Sequence, residues 1–287
     1  MHFGTGFPLT AADNPRTACD FARALDAAGF DFVTTAGHLL SAEAGRYPER
    51  PNATYAGPFY EPFVLFSYLA AITERLVFRP NILILPLFPT ALVARQAAEL
   101  SWLSGSRFEL GAGLSWQAAE YQALNQDLHT RGRRLEEQIT LLRRLWTEPF
   151  VSFEGRWHHF DRVGLNRLPA KPIPIWIGSG TDERSLRRVA KLADGWSPLG
   201  DPAEGMERLR QYLAEEGRDP FGFSLTGRIT AGSEGPAAWL QAAQRLQGLG
   251  TTHLLIGAPP ELPPEQALAR IVEVRQALAA EFGEDRG

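Results

Sequence analysis

Short apolar strand-like runs and amphipathic helical stretches alternate eight times along the chain, and this order constrains the fold more than any other feature. The strand-like runs fall at 2–7, 31–35, 76–85, 107–112, 173–177, 195–197, 223–229 and 253–256. Between and after them the spacing predicts helices at 15–28, 61–72, 90–103, 117–124 with 133–146, 183–193, 202–215, 236–246 and 264–282. A strand–helix–strand order implies parallel pairing, because each crossover must carry the chain back across the sheet. Eight such units within 287 residues point to an α/β fold, a (β/α)8 TIM barrel that typically takes about 250 residues. An open, doubly wound sheet is the alternative. No linker, fixed-period repeat or low-complexity segment divides the chain, so residues 1–287 are expected to form one barrel domain. Two inserts, 37–59 and 149–172, read as irregular; the first holds Pro48, Pro51, Gly57 and Pro58. Inserts of this length suggest lids or dimer contacts.

Composition narrows the function classes. Hydrophobic residues make up 44% and charged residues 22%, as in an ordinary globular protein with a sizeable core. The net charge of −4 argues against a nucleic-acid partner. No run approaches the ~18 apolar residues of a membrane span, and the first residues carry no basic or apolar leader, so the expectation is a cytoplasmic protein. The single cysteine, Cys19, cannot form an internal disulfide. Its place on the first helix suggests a buried, inert thiol rather than a nucleophile. No metal site is expected: His158 and His159 are adjacent and point to opposite faces, and the remaining histidines are scattered. Lys171 and Lys191 lie before a strand and within a helix, which disfavours a lyase or aldolase barrel.

Ligands in such a barrel collect where strands end at their carboxyl side. The run from Arg107 to Trp116 shows one such end. Phe108 and Leu110 alternate with polar neighbours, then Gly111 and Gly113 remove side chains, as a ligand-facing loop or an ordinary turn would require. At Gly178-Ser179-Gly180-Thr181 a strand gives way to a helix start whose free amides suit a phosphate. Alternatively Ser179 or Thr181 caps that helix; Asp182 and Glu183 favour the helix dipole but would repel a phosphate they faced. His38 ends the second strand and could donate or accept a proton, or serve as a hydrogen-bonded structural group. Pro80-Asn81-Ile82 interrupts the third strand, where proline cannot join the ladder, so a bulge is expected. Phe59, Tyr60, Trp157 and Phe160 could line an apolar pocket or simply pack.

Taken together, the stretch from Asn81 to Pro86, the run Ala97 to Arg107, the loop Leu110 to Trp116 with Glu120-Tyr121, the helix at Arg131-Gly132-Arg133-Arg134, and the run Pro174 to Gly178 with Asp194-Gly195-Trp196 resemble the bacterial luciferase-like family of flavin- and deazaflavin-dependent oxidoreductases. The likeness is closest to its probable F420-dependent branch. The resemblance implies a barrel whose carboxyl face binds FMN or the deazaflavin coenzyme F420. It places the ring on a bulge at Asn81-Ile82, a frequent site of a non-proline cis peptide. It also places the phosphate at Ser179-Gly180-Thr181 after Gly178, sets Gly111, Gly113 and Ser115 along the ribityl chain or ring, and has His38 face the reactive edge. A small-molecule substrate and a homodimer are implied as well. Trp116 stands where the glucose-6-phosphate dehydrogenase members carry a carboxylic acid, so that substrate is not implied. Two other readings share the fold: a two-component monooxygenase using reduced FMN and oxygen, and a flavin-binding barrel without turnover.

Overall fold

The computed structural model describes residues 1–8, 14–41, 43, 59–259 and 261–282. Most of the first insert, residues 42 and 44–58, lies outside them, and with it the expectations for Pro48, Pro51, Gly57 and Pro58.

Ten strands and nine α-helices run in chain order among the described residues. They are β1 (His2–Gly6), α1 (Pro15–Ala27), β2 (Phe32–Gly37), α2 (Pro62–Ala70), β3 (Val77–Ile84), α3 (Thr90–Leu103), β4 (Leu110–Gly113), α4 (Ala118–Ala123) and α5 (Arg131–Thr147). Then follow β5 (Val151–Glu154), β6 (His159–Val163), β7 (Ile175–Ser179), α6 (Glu183–Leu192), β8 (Gly195–Pro198), α7 (Ala203–Glu215), β9 (Ser224–Thr230), α8 (Pro236–Gly248), β10 (His253–Gly257) and α9 (Pro264–Phe282). Eight parallel strands close in the order β1-β2-β3-β4-β7-β8-β9-β10, with β10 returning to β1. This is the expected (β/α)8 barrel. Cys19 is buried in α1, and no described helix is long and apolar enough to cross a membrane.

Two local expectations change. The second insert is not irregular throughout: β5 and β6 form an antiparallel hairpin. Its loop is tied to α5 by Glu137, whose carboxylate accepts from the amides of Arg156 (2.8 Å) and Trp157 (2.9 Å) and from His158 Nδ1 (2.7 Å). His158 Nε2 lies 2.6 Å from Thr90 Oγ1, which in turn accepts from Gln138 Nε2 at 3.0 Å. His158 is buried and His159 exposed, so the two rings do part to opposite sides. The second change is in β3, which is a single strand from Val77 to Ile84 with the expected irregularity inside it. The register shifts between Thr35↔Pro80 and Gly37↔Leu83, so the predicted bulge sits at Asn81-Ile82. Pro80, in register with Thr35, is the last residue before that shift, where a missing ladder N–H costs little.

The amino end of the barrel is filled. Arg79 is sandwiched between the rings of Phe32 (4.4 Å to centroid) and Trp176 (3.9 Å), and reaches Glu109 and Thr226 Oγ1 at 3.4 Å each. Gly4 and Gly195 make room for those rings, since a Cβ on either would fall 2.4 Å from the ring of Phe32 or Trp176. Burial pushes the Arg79 guanidinium down to about 10, against the pull of Glu109. Burial also raises the Glu109 carboxyl, although Arg79 opposes it. His253 packs beside both rings, and burial, helped by the Arg79 charge, lowers its pKa well below 6.5.

Candidate active site

Glycines on two strands meet one side chain, and glycines on β2 and β4 meet the backbone beside it. A Cβ on Gly113 of β4 would come within 2.7 Å of Ile82 Cδ1, and one on Gly178 of β7 within 2.4 Å of Ile82 Cγ2. A Cβ on Gly37 of β2 would lie 2.8 Å from the Ile82 carbonyl oxygen, and one on Gly111 would lie 1.8 Å from the Pro80 carbonyl oxygen. These glycines therefore admit the bulged β3 backbone and the Ile82 side chain. The peptide joining Asn81 to Ile82 is cis. Asn81 Oδ1 accepts from Ser197 Oγ at 2.9 Å, which couples the bulge to β8.

His38 follows directly on Gly37. Its Nδ1 lies 2.8 Å from Glu120 Oε2, while Glu120 Oε1 accepts from the amides of Leu39 (2.7 Å) and Leu40 (3.2 Å). Glu120 is fully buried, and the Phe59 ring leans on the imidazole at 4.9 Å between centroids. With the Glu120 carboxylate as acceptor, Nδ1 is the donor of this pair, and the other ring nitrogen, Nε2, is not engaged by Glu120. The next residue, Tyr121, donates its hydroxyl to the Leu114 carbonyl. Burial raises its pKa, which keeps it a donor. Successive residues of α4 thus fasten the loops after β2 and β4. Sequence reasoning cited Glu120-Tyr121 only as part of a likeness; the available signal was an acidic residue opening a helix straight after a Gly-x-Gly strand end.

Ser115 takes a left-handed backbone (φ 52°) and its Oγ accepts from Gln117 N at 3.2 Å. The Gln117 side chain is buried with neither amide atom hydrogen-bonded among the described residues. At the β7–α6 turn, Ser179 Oγ accepts from Trp196 Nε1 and donates to the Gly180 carbonyl, each at 3.1 Å. Neither Ser179 nor Thr181 caps α6: Asp182 does, accepting from Ser185 N at 3.1 Å. Burial would raise the Asp182 carboxyl, but the Ser185 hydrogen bonds outweigh it and hold it low. Sequence reasoning also missed Arg208 of α7, which donates to the Thr181 carbonyl at 2.8 Å and brings a cation beside this turn.

A cavity of about 800 Å³ opens at the carboxyl face. Asn81 and Ile82 line it together with Ser197, Thr226, Arg228 and Trp239; His38, Gly111, Gly113, Ser115 and Gly178 to Thr181 do not. Ile82 is the link, because its atoms touch the cradle of Gly37, Gly113 and Gly178 beside His38. Phe59 packs on the His38 ring and Tyr60 on Phe7, and neither these two nor Trp157 and Phe160 line this cavity. Among the described residues no cluster of metal-ligating side chains exists.

Residues 1–283 match the family described as luciferase-like monooxygenase. The chain belongs to this family. Among luciferase-like relatives, an uncharacterized protein of Mycobacterium tuberculosis (strain ATCC 25618 / H37Rv) is 32% identical over 273 residues, covering 88% of this chain and 91% of the relative. The F420-dependent glucose-6-phosphate dehydrogenase of Gordonia bronchialis is 30% identical over 185 residues, covering 61% of this chain and 51% of that one. Among solved structures, the monooxygenase RslO1 from Streptomyces bottropensis superposes with a TM-score of 0.80 at 17% identity, covering 99% of this chain and 100% of that one, a likeness of fold. Membership makes the chain an oxidoreductase or monooxygenase of the flavin- or F420-dependent kind.

Proposed function

We propose that this protein transfers a hydride between coenzyme F420, or FMN in its place, and a small organic substrate, with His38 as its proton-handling residue. The observation that carries the reading is His38 itself: an imidazole fixed through Nδ1 by a buried carboxylate, one residue after Gly37, whose backbone abuts the Ile82 carbonyl, while Ile82 lines a cavity large enough for a substrate beside a ring. When bound, the coenzyme supplies hydride chemistry that no side chain offers. The protein supplies placement. Asn81 and Ile82 are the surface for the ring, and Gly111, Gly113 and Ser115 border its chain. The turn from Gly178 to Thr181 is suited to the phosphate: a Cβ on Gly180 would meet nothing nearer than 4.0 Å, and Arg208 donates to the Thr181 carbonyl, which brings a cation beside the turn. The Gln117 side-chain amide beside Ser115, without a hydrogen-bond partner among the described residues, fits a polar group brought by a ligand. With the oxidised coenzyme bound to accept the hydride of a substrate carbinol carbon, His38 Nε2 would take the hydroxyl proton, and in the reverse direction it would return it. Exposed Val64 and Tyr68 on α2 support pairing with a second copy, and we place the protein in the cytoplasm.

Titration of the purified protein with F420 and with FMN, followed by fluorescence quenching, tests the reading. Preferential F420 binding supports it. Preferential binding of FMN, with oxygen uptake on reduction, moves the assignment to a monooxygenase. Binding of neither up to millimolar concentration rejects it, and coenzyme binding that His38→Asn leaves catalytically intact removes the proton role.

A further inference from the structure

Arg228 occupies a singular place in the barrel. Thr226, two residues before it on β9, faces the interior, where its hydroxyl meets Arg79. Strand alternation turns Arg228 the same way, about 6–7 Å nearer the mouth. It lines the 800 Å³ cavity and also a neighbouring one of about 350 Å³. Among the described residues only Leu255, its register partner on β10, shares that double position. The smaller cavity is otherwise walled largely by apolar side chains, among them Phe7, Phe21, Leu262 and Ile271. β9 stands four strands from β3 in either direction round the barrel, so Arg228 faces the Asn81-Ile82 bulge across the full width of the mouth.

Arg228 is exposed, and its side chain makes no hydrogen bond or ion pair among the described residues. The other cation of the larger cavity, Arg245, is already paired with Asp201, and the remaining acid, Glu234, forms no ion pair with Arg228. A guanidinium stays charged at any working pH and presents a fork of donors matched to carboxylate or phosphate oxygens. Resting on the hydride-transfer reading of this mouth, we propose that Arg228 anchors an oxyanion on the substrate. The substrates are then small organic acids or phosphate esters, held with the anionic end at β9 and the reacting end toward His38, which follows β2.

The test is calorimetric titration of the full-length protein, with and without oxidised coenzyme, using hexanoate, hexyl phosphate and hexan-1-ol as probes of equal chain length. The expected result is that one or both anions bind roughly ten- to a hundred-fold more tightly than the alcohol. Arg228→Gln should abolish that preference and Arg228→Lys should keep part of it. The tighter of hexanoate and hexyl phosphate identifies which oxyanion the site takes. Equal binding of the alcohol, or an anion preference that survives in Arg228→Gln, overturns the proposal. So does a loss of coenzyme affinity in Arg228→Gln with the anion preference intact. If the wild type binds neither F420 nor FMN yet shows an Arg228-dependent anion preference, the anchor stands and the hydride-transfer reading falls.

Discussion

Glu120 Oε2 lies 2.8 Å from His38 Nδ1, while the other oxygen of the same carboxylate accepts from the amides of Leu39 and Leu40. One fully buried acid therefore sets both the hydrogen on the imidazole and the path of the backbone that carries it. Glu120→Ala should destabilise the fold by roughly 1–3 kcal/mol, since it strands donors away from water. Hydrogen exchange gives the sharper reading: the Leu39 and Leu40 amides should lose protection while those of Leu110 and Ala112 keep theirs. Unchanged exchange at Leu39 and Leu40 would show that the carboxylate does not hold this loop.

Gly178→Ala should cost about 1–3 kcal/mol by overpacking, because its Cβ would meet Ile82 Cγ2 at 2.4 Å. Ile82→Ala removes the clashing atoms, so the double variant should lose less than the sum of the single losses. Chemical denaturation of the four proteins measures the coupling. Strict additivity would mean that Ile82 is not what Gly178 accommodates.

His253 gives the stability a pH dependence of known sign. Its folded pKa is depressed well below 6.5, first by burial and then by Arg79. Below pH 6.5 the unfolded chain therefore binds a proton that the folded protein does not. Stability is full above that pH and falls by about 1.4 kcal/mol per pH unit as acid is added, until the folded pKa is reached. Thermal unfolding between pH 7 and pH 5 should show a steeper loss in the wild type than in His253→Asn; parallel curves would remove His253 as the cause.

The β5–β6 hairpin hangs on Glu137. Burial would raise that carboxyl, but the His158 hydrogen bond and the Trp157 and Arg156 amides outweigh it and hold it low. The hairpin's attachment is accordingly present above the ordinary carboxyl pKa of 4.5 and is lost as pH falls through the lower folded value. Glu137→Ala should make the loop accessible at neutral pH, and trypsin should cut after Arg156 several-fold faster than in the wild type. Equal cleavage rates would show that the hairpin is held by other contacts.

The barrel was legible because strand and helix periodicities alternate cleanly, and Pro80 marked the bulge because proline lacks a ladder donor. The glycines were legible as positions of close approach, but not as to what approaches. Gly113 and Gly178 meet Ile82, a contact between distant strands that a local pattern does not reveal. Glu120 and Arg208 were missed for the same reason: each acts on a loop far away in sequence, Glu120 on residues 38–40 and Arg208 on Thr181. The hairpin escaped notice because its strands are short and largely polar, with only Val151 fully buried.

The Arg79 sandwich between Phe32 and Trp176 makes the barrel a vessel with a sealed floor. Whatever reaches the interior must arrive and depart by the same doorway. Two ligands sharing that doorway form a queue: the one seated deeper enters first and leaves last. Steady-state kinetics should then follow a compulsory order, imposed by side chains on the far side of the molecule from the chemistry.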